Sequence, residues 1–398
     1  MSICFNDEQV KVINNGINHI KHNKKQVYQF SGKAGTGKTE VLNMIIKESG
    51  IDRQRIAPMA YMGQAATVMR TRGLYNAKTI HSWKYKLIEQ VITDENGNPI
   101  MDTIFNKPKV KLSFVPVDLE DIDLIIIDEG YTVPKHMKRE IEKQGIPIIV
   151  CGDANQLPPV GDEPAYLVDG DIDFLTQIVR QDSGSAIPYI ADMILEGRPI
   201  SCGMYGNVLV IEDRDLTDDM ILRSNVLLCG TNKTRDHYNN YIRDNILHIE
   251  SDLPIYGEHV ICRKNNWLLE SDGISLTNGL VGVVTSPPSI DTFDGDRFYM
   301  DFKPNLLDTS FKTLGCDYKY YKANHQDRQI IKASPYSIGE KFELAYASTT
   351  HLSQGSQYSC GIYIQEYLQK NIQRNLNYTA VTRFKDFLIY VIPTKKYF

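Results

Sequence analysis

A chain of 398 residues with 42% hydrophobic and 23% charged residues has the balance of a globular protein large enough for two lobes. Its net charge of −5 does not advertise a nucleic-acid binder, but a locally basic groove or aromatic stacking would escape that test. No apolar run reaches the roughly 18 residues a membrane-spanning helix needs, the N-terminus carries Asp7 and Glu8 rather than a secretory leader, and the seven cysteines include no C-x-x-C pair. A reducing, cytoplasmic setting without membrane contact is therefore expected.

Phe5-Asn6-Asp7-Glu8-Gln9 opens the first expected helix, which should run to about Lys21. The amide of Gln9 both donates and accepts, so it can read an adenine edge; an exposed helix-start glutamine is the plainer alternative. Val27 to Ser31 read as a buried strand. Gly32-Lys33-Ala34-Gly35-Thr36-Gly37-Lys38-Thr39 follows it and fits G-x-x-x-x-G-K-[ST]. A helix from Thr39 to Glu48 comes next, with Val41, Leu42, Ile45 and Ile46 on its apolar side and Gly50 past its end. Its glycines let the backbone N–H groups of Gly32, Ala34, Gly35, Thr36 and Gly37 turn towards an anion, and the helix start adds partial positive charge. Lys38 should reach the β- and γ-phosphates and the Thr39 hydroxyl should hold Mg2+, so ATP with Mg2+ is the expected ligand. The loop specifies an NTPase and leaves open what the energy does.

Ile56 to Tyr61 leave a short strand and enter a helix holding Gln64, Ala65 and Ala66; Lys78 to Trp83 follow. Pro58, His81 and Trp83 sit where strand ends can face a bound nucleic-acid strand, against the plain readings of a structural histidine and a core tryptophan. Residues 84–120 break the α/β rhythm. Two strand-like runs flank Asp94-Glu95-Asn96-Gly97-Asn98-Pro99, and Lys107, Lys109 and Lys111 alternate with Val110 and Leu112, as in a hairpin excursion or a solvated loop. Ile122 to Ile127 form an apolar strand ending in Asp128-Glu129. Asp128 can hold Mg2+ through water and Glu129 can deprotonate the attacking water. The strand Ile148 to Asp153 leads to Gln156, placed to sense a γ-phosphate, and Val179-Arg180-Gln181 supplies an arginine on apolar flanks.

The second half holds strand-like Val208 to Ile211 and Val226 to Cys229, then Thr231-Asn232 and a helix carrying Asn239. Residues 254–334 look all-β, with short strands and Gly or Asn turns, although 303–328 fit no pattern. Thr350-His351-Leu352-Ser353-Gln354-Gly355-Ser356 and Tyr378-Thr379-Ala380-Val381-Thr382-Arg383 close the chain before a last strand from Phe387 to Ile392.

Taken in order, these segments resemble the superfamily 1B DNA helicases, the RecD-like and phage Dda-like group. Gln9 matches the Q motif, Gly32 to Thr39 motif I, and Asp128-Glu129 motif II. Gly152-Asp153 with Gln156-Leu157-Pro158-Pro159-Val160 matches motif III, His351 to Ser356 motif V, and Tyr378 to Arg383 motif VI. The resemblance implies an α/β fold of two RecA-like lobes. The first would span 1–165 with a duplex-splitting pin near 84–120. The second would span 166–253 and 335–398, with an SH3-like barrel inserted at 254–334. It also implies that Arg180 and Arg383 act as arginine fingers, that Gly355 lies at the nucleotide, and that Thr231, Asn232, His351 and Ser353 touch DNA. The implied activity is ATP-dependent translocation 5′ to 3′ on single-stranded DNA with unwinding of forked duplex. Two rivals stay open: a translocase on DNA or RNA that strips proteins without unwinding, and an ATP-gated scaffold for replication or repair. Single-strand-binding or replisome proteins are candidate partners, and a monomer is expected. Abundant Lys, Asn, Ile and Tyr fit an AT-rich genome such as a phage's. Three positions depart from the family pattern: Gly130-Tyr131-Thr132 after motif II, Leu352 where a lysine is usual, and Phe384 after Arg383. None removes a phosphate, metal or finger residue.

Overall fold

The computed structural model describes residues 4–22, 25–101, 108, 110–179, 184–291, 295–333 and 339–394. The first helix, Asp7–His22, carries Asp7 and Glu8 in its first turn and His19, Lys21 and His22 in its last, which complements the helix dipole. Its start is held reciprocally: the Gln9 N–H donates to Asn6 Oδ1 (2.9 Å) and the Asn6 N–H to Gln9 Oε1 (3.0 Å).

Six parallel strands form the first sheet, in the spatial order Lys78–Thr79, Ile56–Ala60, Leu124–Ile127, Ile148–Gly152, Val27–Gly32 and Ile172–Leu175. Leu124–Ile127 and Ile148–Gly152 are buried at every residue, as strands covered on both faces must be. Alternation then sorts their side chains. Leu124 and Ile126 join Phe30, Val41, Leu42 and Ile45 on one face, while Ile125 and Ile127 join Ala57, Met59 and Val150 on the other. Parallel register brings the carboxyl ends of three strands to one edge. The phosphate loop leaves Val27–Gly32 there, Asp128 follows Leu124–Ile127, and Asp153 follows Ile148–Gly152.

Ile172–Leu175 pairs with Val27–Gly32, and Ala165, Tyr166 and Leu167 are buried in the first core. The first sheet thus runs past residue 166, where the sequence reading starts the second lobe. Only its last residue, Leu175, is buried, so no apolar run announces its membership.

The second sheet has the order Ala347–Thr349, Leu227–Cys229, Tyr358–Ile364, Phe384–Ile392, Val208–Glu212 and Gly203–Tyr205, with only the last pairing antiparallel. Helices Ile187–Glu196 and Lys370–Val381 pack on it around Tyr363, Tyr378, Phe384 and Tyr390.

Tyr85–Val91 and Val110–Pro116 pair antiparallel from Tyr85↔Pro116 to Val91↔Val110. Within the excursion they bound, Asp94 Oδ1 accepts from the Asn96 (2.9 Å) and Asn98 (2.8 Å) N–H groups. Lys107 and Lys109 lie outside the described residues.

A separate antiparallel sheet orders Ser289–Ile290, Arg297–Pro304, Val281–Val284, His259–Cys262 and Phe342–Leu344, with Phe311–Asp317 also on Arg297–Pro304. Two expectations need correction here. The segment 254–334 is not all-β: Tyr318–Lys322 and His325–Ala333 are helices, and Phe342–Leu344 extends the sheet beyond 334. Asp317 caps the first of these helices through Oδ1 to the Tyr320 N–H (2.8 Å), and Tyr320 and Tyr321 bury their rings. Tyrosines that look polar in the sequence are core residues here.

Two buried carboxylates fasten this sheet to the second lobe. Glu258 accepts from Arg243 Nε (2.8 Å) and the Tyr346 hydroxyl (2.9 Å). Glu343 accepts from Arg263 Nε (3.2 Å) and the Tyr320 hydroxyl (2.6 Å), and Arg235 Nη2 stands 2.9 Å from its second oxygen, close enough for an ion pair but off the hydrogen-bond angle. Burial pushes the Glu343 carboxyl upward, but Arg263, Arg235, Arg328 and the Tyr320 hydroxyl together hold it below the usual range. A carboxyl lowered in the fold contributes stability that is lost as pH falls through its folded value. Side-chain exposures of 2% at Arg235 and 4% at Glu343 leave no water to replace a lost partner. Arg235→Met should therefore destabilise the protein by about 3–5 kcal/mol in urea unfolding; an unchanged midpoint would show that the pair holds nothing.

Candidate nucleotide site and strand-contacting surface

Gly35 (φ 86°) and Gly37 (φ 78°) turn the phosphate loop through backbone that other residues resist. A Cβ at Gly37 would lie 2.6 Å from Gln9 Nε2, and one at Gly32 would lie 2.5 Å from Thr36 Oγ1. Thr36 is fully buried, with its hydroxyl donating to the Lys33 carbonyl (2.9 Å). Lys38 Nζ lies inside the curl and donates to the carbonyls of Gly32 (2.7 Å) and Lys33 (3.1 Å). Gln9 is buried, not exposed. Its Nε2 donates to the Thr36 carbonyl (3.0 Å) while its Oε1 serves Asn6, so both ends of the amide are engaged by the protein. Thr39 Oγ1 accepts from Arg72 Nη1 (2.6 Å), a residue absent from the sequence-based candidates.

Asp128 Oδ1 accepts from the buried Cys151 thiol (3.1 Å) and from the Glu129 N–H (2.9 Å). Glu129 itself sits in the left-handed region (φ 53°), a conformation that non-glycine residues hold only where the surroundings impose it. Burial drives its carboxyl upward, and the neighbouring Asp128 and Asp153 add to this. Arg383 and Lys38 oppose it. Groups from both lobes thus act on one carboxylate.

Arg383 is buried, with Nε donating to the Thr379 carbonyl (3.2 Å) and Nη1 to that of Ser356 (3.4 Å). Arg180 lies outside the described residues; the Val179 N–H donates to the Gly35 carbonyl (3.0 Å). Gln156 is buried and its Oε1 has no hydrogen-bond partner among the described residues. An orphaned buried acceptor of this kind calls for an explanation, and a ligand donor is one.

The two lobes meet at this place. Tyr378 donates to Asp153 Oδ2 (2.6 Å) and accepts from the Ala34 N–H (3.4 Å). Thr379 Oγ1 accepts from the Leu157 N–H (2.9 Å), Gln354 Nε2 donates to the Leu157 carbonyl (2.9 Å), and Asn375 Nδ2 donates to that of Gln156 (3.0 Å). Gly355 (φ 81°) lies at the seam between the lobes. It rests on the first lobe's helix Gly63–Thr71, where an added Cβ would come 2.7 Å from that of Ala65.

Of the seven residues proposed to contact DNA, four are engaged internally. Pro58 is buried and its carbonyl accepts from Trp83 Nε1 (2.8 Å); Trp83 packs on the first core. Ser353 is buried with its hydroxyl on the Thr350 carbonyl (2.9 Å). Thr231 caps the helix Asn232–Tyr241 and donates to Glu366 (2.9 Å). Asn232 opens that helix, and His351 is half-buried. His81 is exposed and belongs to a chain of rings: Tyr61 and His81 at 6.5 Å, His81 and Tyr85 at 6.3 Å, Tyr85 and Phe114 at 6.3 Å. Tyr61, Tyr85 and Phe114 are absent from the sequence-based candidates, because only the fold of the first sheet's edge and the pairing of the hairpin bring their rings together.

Residues 5–209 match the family model described as an AAA domain, and residues 344–389 match the UvrD-like helicase C-terminal domain. The chain belongs to the superfamily 1B helicases. The ATP-dependent DNA helicase Pif1 of Psychrobacter sp. (strain PRwf-1) is 25% identical to this chain over 454 residues, covering 89% of the chain and 64% of the relative. The uncharacterized protein MJ1519 of Methanocaldococcus jannaschii is 22% identical over 452 residues, covering 93% and 37%. The chain thus spans less than two thirds of the length of these relatives. Its fold is that of solved Pif1 helicases. One from Bacteroides, in complex with ADP-AlF3 and ssDNA, superposes with a TM-score of 0.56 at 18% identity, covering 98% of this chain and 92% of that one. One from Candida albicans gives 0.54 at 17%, covering 99% and 95%.

A carboxyl whose folded value is raised destabilises the fold once it ionises, fully so above that folded value. Glu129→Gln should therefore raise the Tm at pH 7.5 by about 2 °C or more, a gain that shrinks as the pH is lowered. A fall in Tm at neutral pH would show that the carboxylate is satisfied where it stands.

Proposed function

We propose that this helicase is an ATP-dependent motor that moves 5′ to 3′ along single-stranded DNA and separates forked duplex. The observation that carries the reading is the meeting of the lobes at the phosphate loop, where Tyr378 of the second lobe bonds Asp153 and the Ala34 N–H and Arg383 follows at the end of the same helix. Nucleotide phosphates would lie against the loop from Gly32 to Thr39, with Lys38 exchanging its carbonyl partners for phosphate oxygens. The Thr39 hydroxyl and the Asp128 carboxylate are oxygen donors suited to Mg2+, which would neutralise phosphate charge when bound. Glu129 takes the proton of the attacking water as its oxygen bonds to the γ-phosphorus and the bond to ADP breaks. Arg383, and Arg180 beside it in role, stabilise the charge on the transferred group. Gln156 offers its unpaired Oε1 as an acceptor to an O–H of the attacking water.

Motion follows from charge. While a γ-phosphate is present, Arg383 gains an anionic partner and the lobes are drawn together; its release removes that partner. The exposed rings of His81 and Phe114 offer stacking surfaces to bases with little sequence preference, while phosphate contacts dominate the grip, so binding should weaken with salt.

Phosphate release, measured with and without a thymidine oligonucleotide, tests the reading. Lys38→Ala should abolish strand-stimulated release, and full turnover in that variant would overturn the site. Arg383→Ala should bind a fluorescent ATP analogue normally while hydrolysis falls by about 10³-fold or more; loss of binding in a folded protein would contradict the finger role. Forked duplexes with a 5′ or a 3′ overhang separate unwinding from bare translocation and fix polarity. Phe114→Ala should impair strand separation on the 5′-tailed fork and weaken single-strand binding by about 1–3 kcal/mol. Unchanged unwinding would remove the hairpin from the mechanism.

A further inference from the structure

We infer that Arg72 is a positioning residue that couples the Mg2+ site to the second lobe, an inference that rests on the nucleotide reading above. Its guanidinium spans the gap between the lobes. Nη1 donates to Thr39 Oγ1 (2.6 Å) and Nη2 donates to Gln357 Oε1 (3.1 Å). Arg72 follows the helix Gly63–Thr71, whose Ala65 carries Gly355, two residues before Gln357. Asn43, on the helix that begins at the phosphate loop, donates Nδ2 to the Arg72 carbonyl (3.4 Å) and holds the backbone beside it. One side chain therefore connects the helix Lys38–Ser49, the end of the helix Gly63–Thr71 and the segment 353–357.

The chemistry makes this connection conditional. The planar fork of an arginine can serve two acceptors at once, which a lysine at this position could not do in the same geometry. The Thr39 hydroxyl oxygen is both the acceptor for Arg72 and the oxygen that suits Mg2+. A divalent cation on that oxygen would stand against a guanidinium already in contact with it, and like charges at such range repel strongly in a partly buried cleft. Mg2+ and the Arg72 bond to Thr39 therefore exclude one another. When the cation takes the oxygen, Arg72 swings away and Gln357 loses the partner that ties it to the first lobe. Metal coordination at the phosphate loop is thereby reported to the segment that includes Ser353 and Gly355. Because coupling is reciprocal, a strand that shifts this segment will change the Mg2+ affinity by the same factor.

The test uses the full chain and a fluorescent non-hydrolysable ATP analogue. Mg2+ is titrated at fixed analogue, with a parallel measurement in EDTA, and thymidine-oligonucleotide affinity is measured with and without Mg2+-analogue. With Arg72→Ala the competitor for Thr39 is gone, so the Mg2+ midpoint should fall about three- to ten-fold while affinity in EDTA stays unchanged, and the effect of Mg2+-analogue on oligonucleotide affinity should disappear. Gln357→Ala, which keeps the guanidinium on Thr39, should leave the Mg2+ midpoint near that of the unmodified protein and still abolish the coupling. The inference is overturned if Arg72→Ala weakens the analogue equally with Mg2+ and in EDTA, which would make Arg72 a phosphate ligand. It is also overturned if the midpoint does not move, or if coupling survives in both variants. Lys38→Ala serves as the control for the parent reading. If it binds the analogue as tightly as the unmodified protein, the nucleotide site itself is misassigned; if it does not, a failure at Arg72 concerns the coupling alone.

Discussion

The hydroxyl of Tyr378 is the interaction on which the candidate site depends. It donates to Asp153 at the end of one strand of the first sheet and accepts from the Ala34 N–H in the phosphate loop at the end of its neighbour, while its own helix belongs to the second sheet. Burial drives this phenol far above its ordinary range, so it keeps its proton and remains a donor to the carboxylate. Thr379 and Asn375 on the same helix bond the backbone of Leu157 and Gln156, and Arg383 follows at the helix end. A single helical segment thus sets where the second lobe stands relative to the acids and the loop. Each partner comes from the carboxyl edge of a parallel sheet, which is where such sheets present their ligand-binding loops.

The buried carboxylates divide into two kinds. Glu343 and Glu258 are surrounded by guanidinium and phenol donors and act as fasteners. Glu129 meets two further carboxylates and an unusual backbone conformation, and its carboxyl rises. Local unfavourable electrostatics of this sort mark a place shaped for chemistry, whereas the satisfied pairs keep the inserted sheet fixed to its lobe.

The phosphate loop and the acids after Leu124–Ile127 were legible because each is local: glycine spacing, an apolar run, a charge at its end. Residues whose role depends on the far side of the chain were not. Gln9 reads as an exposed helix residue until the loop folds over it, and Ser353, Pro58 and Trp83 read as strand contacts until packing engages them. Arg72 carries no signal at all, since an arginine after a short helix is ordinary until Gln357 arrives from 285 positions away. The tyrosines at 318–321 were not legible either. They lie in a stretch that fits no pattern in the sequence, and their rings supply part of a core. The edge strand Ile172–Leu175 was hidden for another reason: only its last residue is buried, so it lacks the apolar run that announces a central strand.

The seating of Gly355 on Ala65 constrains how related sequences can drift. Neither position has room to grow, because a methyl at 355 would collide with the methyl at 65 as well as with the backbone beneath it. A larger side chain at 65 would press on the same turn from the other side. The two sites, in different halves of the chain, must therefore stay small together, and any lineage that enlarges one has to reshape the seam before it can keep both lobes in register.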